Sequence, residues 1–285
     1  MRVLVLGHNG YLGSYLVDNL KCSVDTMSVP YIEDNYEYVI NCIGKPNLEY
    51  CEHHPDISRT SNYNAIYSVL KTCPRAKVIN FSSYYVYNDE GLCTEESNVT
   101  DKYIYCKHKL MSEELITDRG GVTFRLGKLF GNSKKDQGKL TDAIIVNTDM
   151  ILDEVMFNPT SVRQVLRAVN YEIKFKDLKG VFNLSNSGTV SHYDYGVFIR
   201  ETLDMSTDNL KRIKKTERVF DHYGRFEMSI DKISKKVRIN DWKKDMEYYL
   251  DMAEIHMCSV VLVHYLSRFL VLDNSQSFRI PCYLK

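Results

Sequence analysis

Three glycines spaced three apart, Gly7, Gly10 and Gly13, follow the apolar run Val3-Leu4-Val5-Leu6. No other feature constrains the fold as much, because it asks for a strand that turns on glycine straight into a helix. Glycine permits the sharp turn and lets backbone N–H groups approach a ligand, and the helix N-terminus adds partial positive charge. The loop Gly7-His8-Asn9-Gly10-Tyr11-Leu12-Gly13 is therefore a candidate cradle for the pyrophosphate of a dinucleotide. A plain glycine turn before a helix would look the same in isolation. The position of the loop, between the first strand and the first helix, favours the cofactor reading.

The sequence beyond it alternates short β-branched runs with helix-like stretches, the rhythm of a parallel sheet covered by helices. Strands are expected over 2–6, 24–29, 38–42, 77–81 and 122–126, and helices over 11–20, 62–73 and 103–117. The fold class is α/β, a Rossmann-like doubly wound parallel sheet. The stretch from 22 to 38 is short for such a fold, so one strand and helix are expected to be trimmed. After Gly131 the rhythm breaks at a polar loop, 132–136. Residues 1–131 form the expected dinucleotide-binding domain and 132–250 a smaller C-terminal substrate lobe, with some chain free to return to the first sheet. A strand near 181–184 and a helix near 192–203 belong to that region. Residues 251–285 form a tail with no assigned role.

Composition excludes several functions. Lys plus Arg and Asp plus Glu number 37 each in 285 residues, so no net field attracts nucleic acid or an anionic membrane. The basic run Lys211, Arg212, Lys214 and Lys215 reads as a solvated face. Eight scattered cysteines without a Cys-x-x-Cys pair fit free thiols, not a disulfide framework or a metal site. The longest apolar run, 258–272, is too short to span a bilayer and contains His264 and Arg268. With no secretory signal ahead of the first strand, a cytoplasmic protein is expected.

Ser82 and Ser83 close the fourth expected strand, and two Tyr-x-x-x-Lys pairs follow, Tyr103/Lys107 and Tyr105/Lys109. Reduction of a ketone leaves negative charge on its oxygen and so requires a proton donor. A tyrosine, ordinarily titrating at about 10, serves if a cation lowers its pKa. A lysine four residues on lies one turn along the same helix face, and a serine hydroxyl can orient the carbonyl. Two residues of helix are about 200° of rotation, so both pairs cannot line one cleft. Lys107 continues into the polar stripe of Glu114 and Asp118. Tyr105 and Lys109 share a face with Ser112 and Ile116, so Ser83, Tyr105 and Lys109 form the expected catalytic group. The second strand offers neither an acid nor a base at its end, Ser28-Val29-Pro30. His8 and Asn9 could meet a phosphate, so the loop favours NADP(H) slightly over NAD(H).

These residues together resemble the extended short-chain dehydrogenase/reductase family. The stretches Ser83-Tyr84-Tyr85-Val86-Tyr87 and Tyr105-Cys106-Lys107-His108-Lys109-Leu110-Met111-Ser112-Glu113 look like the catalytic stretches of the dTDP-4-dehydrorhamnose reductases. The Lys-Leu-x-x-Glu continuation sets the register on Tyr105. The segment Phe157-Asn158-Pro159-Thr160 resembles their Pro-Thr segment beside the substrate. The stretches from Gly44 to His54 and from Gly180 to His192 are more similar to the UDP-rhamnose-forming 3,5-epimerase/4-reductases. The resemblance implies NAD(P)H-dependent reduction of a nucleotide-linked 4-keto-6-deoxy sugar. It implies that Cys42, Ile43 and Gly44 join the glycine loop, Tyr105 and Lys109 around the cofactor. It also implies that Asn47, Tyr84, Tyr85 and Asn158 touch substrate. The bifunctional enzymes carry a cysteine two residues after the catalytic serine; here that position is Tyr85, which puts epimerisation in doubt. Their epimerase lysine falls near 139–146, where the likeness is too loose to carry over. Related enzymes pair through the helices expected at 62–73 and 103–117, implying a homodimer. A non-catalytic alternative resembling the same family is the regulatory subunit of methionine adenosyltransferase, against which the intact Ser83, Tyr105 and Lys109 argue.

Overall fold

The computed structural model describes residues 1–27, 35–88, 91–131, 140–147, 149–213 and 226–252. The end of the second expected strand (28–30), the loop 132–136, Lys214, Lys215, Cys258, Cys282 and the tail after 252 lie outside the described residues.

Six parallel strands form the central sheet: β1 (Arg2–Leu6), β2 (Ser23–Met27), β3 (Tyr38–Asn41), β4 (Lys77–Ser83), β5 (Val122–Leu126) and β6 (Gly180–Leu184), in the order β6-β5-β4-β3-β1-β2. The direction of winding reverses between β1 and β3, and in open α/β sheets ligands bind at the carboxyl ends of the strands flanking that reversal. Parallel strands are buried on both faces, and Val3 to Leu6 are indeed fully buried. Val3, Val5 and Ile40 pack with Leu12 and Leu16 of helix α1 (Tyr11–Asn19) on one face. Leu4, Leu6 and Val39 pack on the other with Ile66, Val69 and Leu70 of helix α2 (Ala65–Thr72) and Ile116 of helix α3 (Ile104–Asp118). The two-residue alternation thus sends each strand's side chains into two helical layers. The expected α/β doubly wound sheet is borne out, and among the described residues β2 forms the edge beyond β1.

Two helices were not expected. Leu48–His53 starts at Asn47, whose side chain accepts from Tyr50 N at 2.7 Å, and Pro55–Arg59 starts at proline, which is preset for a first helical turn. They run into a π-helical turn, Thr60–Asn64, before α2, so the helix expected at 62–73 begins in a wider winding. Beyond residue 131, helix α4 (Val162–Phe175) and β6 return to the main layer. Lys77 Nζ lies 2.7 Å from the fully buried Glu172 carboxylate, and Tyr38 Oη donates to it at 3.0 Å, pinning α4 across β3 and β4. A second apolar cluster gathers Ile144, Leu152, Phe157, Tyr195, Trp242 and Met246. Among the described residues no helix is long and apolar enough to cross a membrane.

Candidate active site

The glycines act in two different ways. Gly7 has φ +73°, and a Cβ there would stand 2.7 Å from the Cys42 carbonyl carbon; a Cβ on Gly13 would meet Gly7 O at 2.2 Å. Both therefore fold the loop tightly against the end of β3 and stand behind the cleft. Gly10 caps α1, donating its N–H to Gly7 O at 2.9 Å. With Tyr11, Leu12, Cys42, Ile43 and Gly44 it lines a cleft of about 480 Å³. Of the loop residues, His8 is half-buried, with Nδ1 lacking a hydrogen-bond partner among the described residues, and Asn9 is exposed. Neither lines the cleft as it stands.

Ser83, Tyr84, Tyr85, Tyr105, Lys109 and Asn47 line the same cleft. Ser83 ends β4, and its Oγ accepts from Tyr85 N at 3.3 Å, starting the turn Tyr84–Val86. On α3 the buried face carries Tyr105, Lys109, Ser112 and Ile116, while Lys107, Glu114 and Asp118 are exposed. Tyr103 is buried at the helix start but does not line the cleft. Lys109 Nζ donates to Phe81 O at 2.9 Å and lies 5.9 Å from the Tyr105 ring centroid. Burial pushes the Tyr105 phenol well up, and the hydrogen bond with Ser83 draws it back in part. The expected lowering by lysine is thus not found. The ammonium is aimed at a backbone carbonyl, and desolvation of a buried phenol outweighs its pull. Burial also pushes Lys109 down, to about 8, with Glu113 opposing.

Asn158 is not brought to the cleft. Its amide accepts from Met228 N at 2.8 Å, and its carbonyl accepts from Lys128 N at 3.0 Å. Asn47 lines the cleft, but its side chain is engaged as a helix cap.

Residues 25–255 match the family described as RmlD substrate binding domain. The chain belongs to the RmlD substrate-binding-domain family. It is 27% identical over 231 residues to the spore coat polysaccharide biosynthesis protein SpsK of Bacillus subtilis, covering 72% of this chain and 81% of that one. Its fold is similar to a dTDP-4-dehydrorhamnose reductase from Clostridium acetobutylicum, with TM-score 0.74, 20% identity and coverage of 89% of this chain and 100% of that one. It is equally similar to the same enzyme from Bacillus anthracis in complex with NADP, with TM-score 0.74, 17% identity and coverage of 88% and 98%. The expected likeness to extended short-chain reductases of the RmlD type is borne out.

Several residues of this RmlD-family site escaped sequence reasoning. Glu113, read only as a register mark, holds Arg125 of β5 through Oε2 at 2.7 Å from Nη2, with both side chains buried. That pair locks the helix of Tyr105 and Lys109 to the sheet. Asn62, in the π turn, accepts from Lys45 N at 3.0 Å, and a Cβ on Gly44 would stand 3.3 Å from both its Oδ1 and Lys109 Nζ. Glycine at 44 therefore leaves room for the lysine. Lys128, just past β5, also lines the cleft. Lysine and asparagine carry no periodic signal that would have marked either residue.

Proposed function

We propose that this RmlD-family chain is an NAD(P)H-dependent reductase of a nucleotide-linked 4-keto-6-deoxy sugar. The observation that carries the reading is the convergence of Ser83, Tyr105 and Lys109 on the cleft that the glycine loop opens. The residues fit a dinucleotide. Gly10 stands at a helix N-terminus without a Cβ, Gly44 clears the space over Lys109, and Ser82 Oγ, on the cleft lining, is buried without a partner among the described residues. Gly10 to Leu12 would hold the pyrophosphate, and Cys42 to Gly44 with Lys109 the nicotinamide ribose. When bound, the reduced cofactor supplies the hydride.

The chain's own groups handle the proton. Ser83 donates to the ketone oxygen and orients it. Tyr105, kept protonated by burial, delivers its proton to that oxygen as charge builds there. Lys109 stabilises the tyrosinate left behind until solvent reprotonates it. NADPH is kept slightly ahead of NADH because the Bacillus anthracis relative was solved in complex with NADP; His8 and Asn9, which suggested it in the sequence, do not line the cleft.

A panel of dTDP- and UDP-linked 4-keto-6-deoxy sugars with NADPH or NADH tests the reading. Cofactor oxidation with at least one is expected. Binding of cofactor without oxidation by any would favour the regulatory-subunit alternative. We also propose a cytoplasmic homodimer paired through the outer faces of α2 and α3, where Tyr67 is exposed; a monomer mass by light scattering would overturn the pairing.

A further inference from the structure

Lys45 lines the cleft, and its ammonium has no hydrogen-bond or ion-pair partner among the described residues. What it meets is the face of the Tyr50 ring, 5.0 Å from Nζ to the centroid. Tyr50 is backed in turn by His54, stacked on it with centroids 4.2 Å apart. An aromatic face attracts an ammonium through its quadrupole and carries no net charge, so the ring steadies the lysine without neutralising it. The acids of the neighbouring helix, Glu49 and Glu52, do not pair with it, and no Asp or Glu among the described residues lines the cleft.

The backbone beneath this side chain is held from both sides. Asn62 Oδ1 accepts from Lys45 N at 3.0 Å, Asn62 Nδ2 donates to Lys45 O at 3.2 Å, and Cys51 Sγ donates to the same carbonyl at 3.4 Å. Asn62 and Cys51 are both buried. Pro46 adds a further restriction, since the residue before a proline is kept out of the helical region. Only the side chain of Lys45 is left to order when a ligand arrives.

The contacts along this wall place the charge. Cys42 and Ile43 lie against the glycine loop, where a Cβ on Gly7 would stand 2.7 Å from each backbone, and Gly44 lies beside Lys109 Nζ. Past Lys45 the chain enters the helix Leu48–His53, whose Glu52 Oε1 accepts from Ile104 N at 2.5 Å, next to Tyr105 at the start of α3. The wall thus runs from the pyrophosphate cradle to the proton donor, and Lys45 stands on the donor's side of Gly44.

We propose that Lys45 is a specificity-determining residue that binds an anionic oxygen of the substrate, phosphoryl or carboxylate, and that Tyr50 is a positioning residue for its ammonium. The inference rests on reading the cleft as a nucleotide-sugar site.

Titration calorimetry on the full chain, saturated with NADPH so that the glycine-loop side is filled, tests it. The probes are UDP-glucose, UDP-glucuronate and inorganic pyrophosphate, and NADPH is titrated separately into the free protein. Lys45→Met keeps the stem and removes the charge. Because Lys45 is exposed, the expected loss of nucleotide-sugar affinity is about fivefold, the scale of a surface ion pair, with NADPH binding unchanged. Lys45→Arg should retain affinity. Wild-type affinity should fall as salt is raised, and that fall should shrink in Lys45→Met, which a merely structural role would not give. Equal losses for UDP-glucose and UDP-glucuronate assign the diphosphate; a loss confined to UDP-glucuronate assigns a carboxylate. Tyr50→Phe keeps the ring face and should bind as the wild type does, whereas Tyr50→Leu should lose part of the affinity; equal affinity in the two would overturn the ring's role. Unchanged affinity for every probe in Lys45→Met, or an equal loss for NADPH, would overturn the proposal. Wild-type protein that binds no nucleotide sugar would instead overturn the functional reading. The pyrophosphate arm would then decide for Lys45, weaker binding in Lys45→Met supporting the charge site and unchanged or absent binding refuting it.

Discussion

Tyr105 and Lys109 stand one turn apart on the buried face of α3, with the lysine Nζ 5.9 Å from the tyrosine ring centroid and both groups on the cleft. The competing pair is divided, since Tyr103 is buried while Lys107 faces solvent. Tyr105→Phe removes the hydroxyl that is hydrogen-bonded to Ser83 without removing the ring that packs there. Turnover should fall by roughly 10²–10⁴-fold, the range for loss of a general acid, with cofactor affinity close to unchanged. Tyr103→Phe should be mild. Steady-state rates and cofactor fluorescence titrations check both, and a dead Tyr103 variant would move the register.

The depressed Lys109 predicts a pH dependence. Burial holds it at about 8, below the ordinary 10.5, so above pH 8 the free protein progressively loses this charge. Binding of an anionic dinucleotide should then weaken as pH rises through 8 and should be accompanied by proton uptake there. Lys109→Met should bind more weakly at neutral pH and lose that limb. Cofactor dissociation constants between pH 6.5 and 9.5 provide the check; a flat wild-type profile would reject the assignment.

Glu113→Ala strands the Arg125 guanidinium in the core. Breaking one side of a buried ion pair costs about 3–5 kcal/mol, and among the described residues Arg125 then keeps the Glu95 carbonyl at 3.4 Å and the Tyr87 side chain, by its hydroxyl and by its ring at 4.9 Å. Urea unfolding should show that loss, with Glu113→Gln intermediate. A change under 1 kcal/mol would mean that the pair is not what ties α3 to β5.

Local signals were legible in the sequence and distant ones were not. The turn at Gly7, the strand periods of β1 to β5 and the one-turn spacing of Tyr105 and Lys109 are each encoded within a few residues. The Lys128–His192 contact spans 64 positions and His192–Asp153 spans 39, and no periodicity links them. Asn47 and Asn158 came out differently. Asn47 lines the cleft while its side-chain oxygen caps the helix of Leu48–His53, whereas Asn158 stands off the cleft, its side chain holding Met228 N, because an amide is claimed first by backbone groups needing partners.

The last prediction is that the protein reduces without epimerising. Inverting C3 and C5 of a 4-keto sugar means removing a proton beside the carbonyl and returning one on the opposite face, which takes an acid/base pair astride the ring. The related bifunctional enzymes place a cysteine where this chain has Tyr85, which lines the cleft stacked on Tyr84 at 4.4 Å. Nearby thiols do not substitute. Cys106 donates to Tyr85 O at 3.1 Å, and burial pushes it up to about 12. Cys93 is buried off the cleft. Among the described residues Cys42 is the one cysteine lining it, on the glycine-loop side, and burial pushes that thiol far up as well. Such thiols are too weakly acidic to exchange protons near neutral pH. In heavy water, with a 4-keto substrate and no reduced cofactor, NMR should show no deuterium entering C3 or C5. Reduction of a substrate already epimerised by another enzyme should proceed. Uptake at both carbons at a rate comparable to turnover would promote the bifunctional reading and require a base other than these thiols.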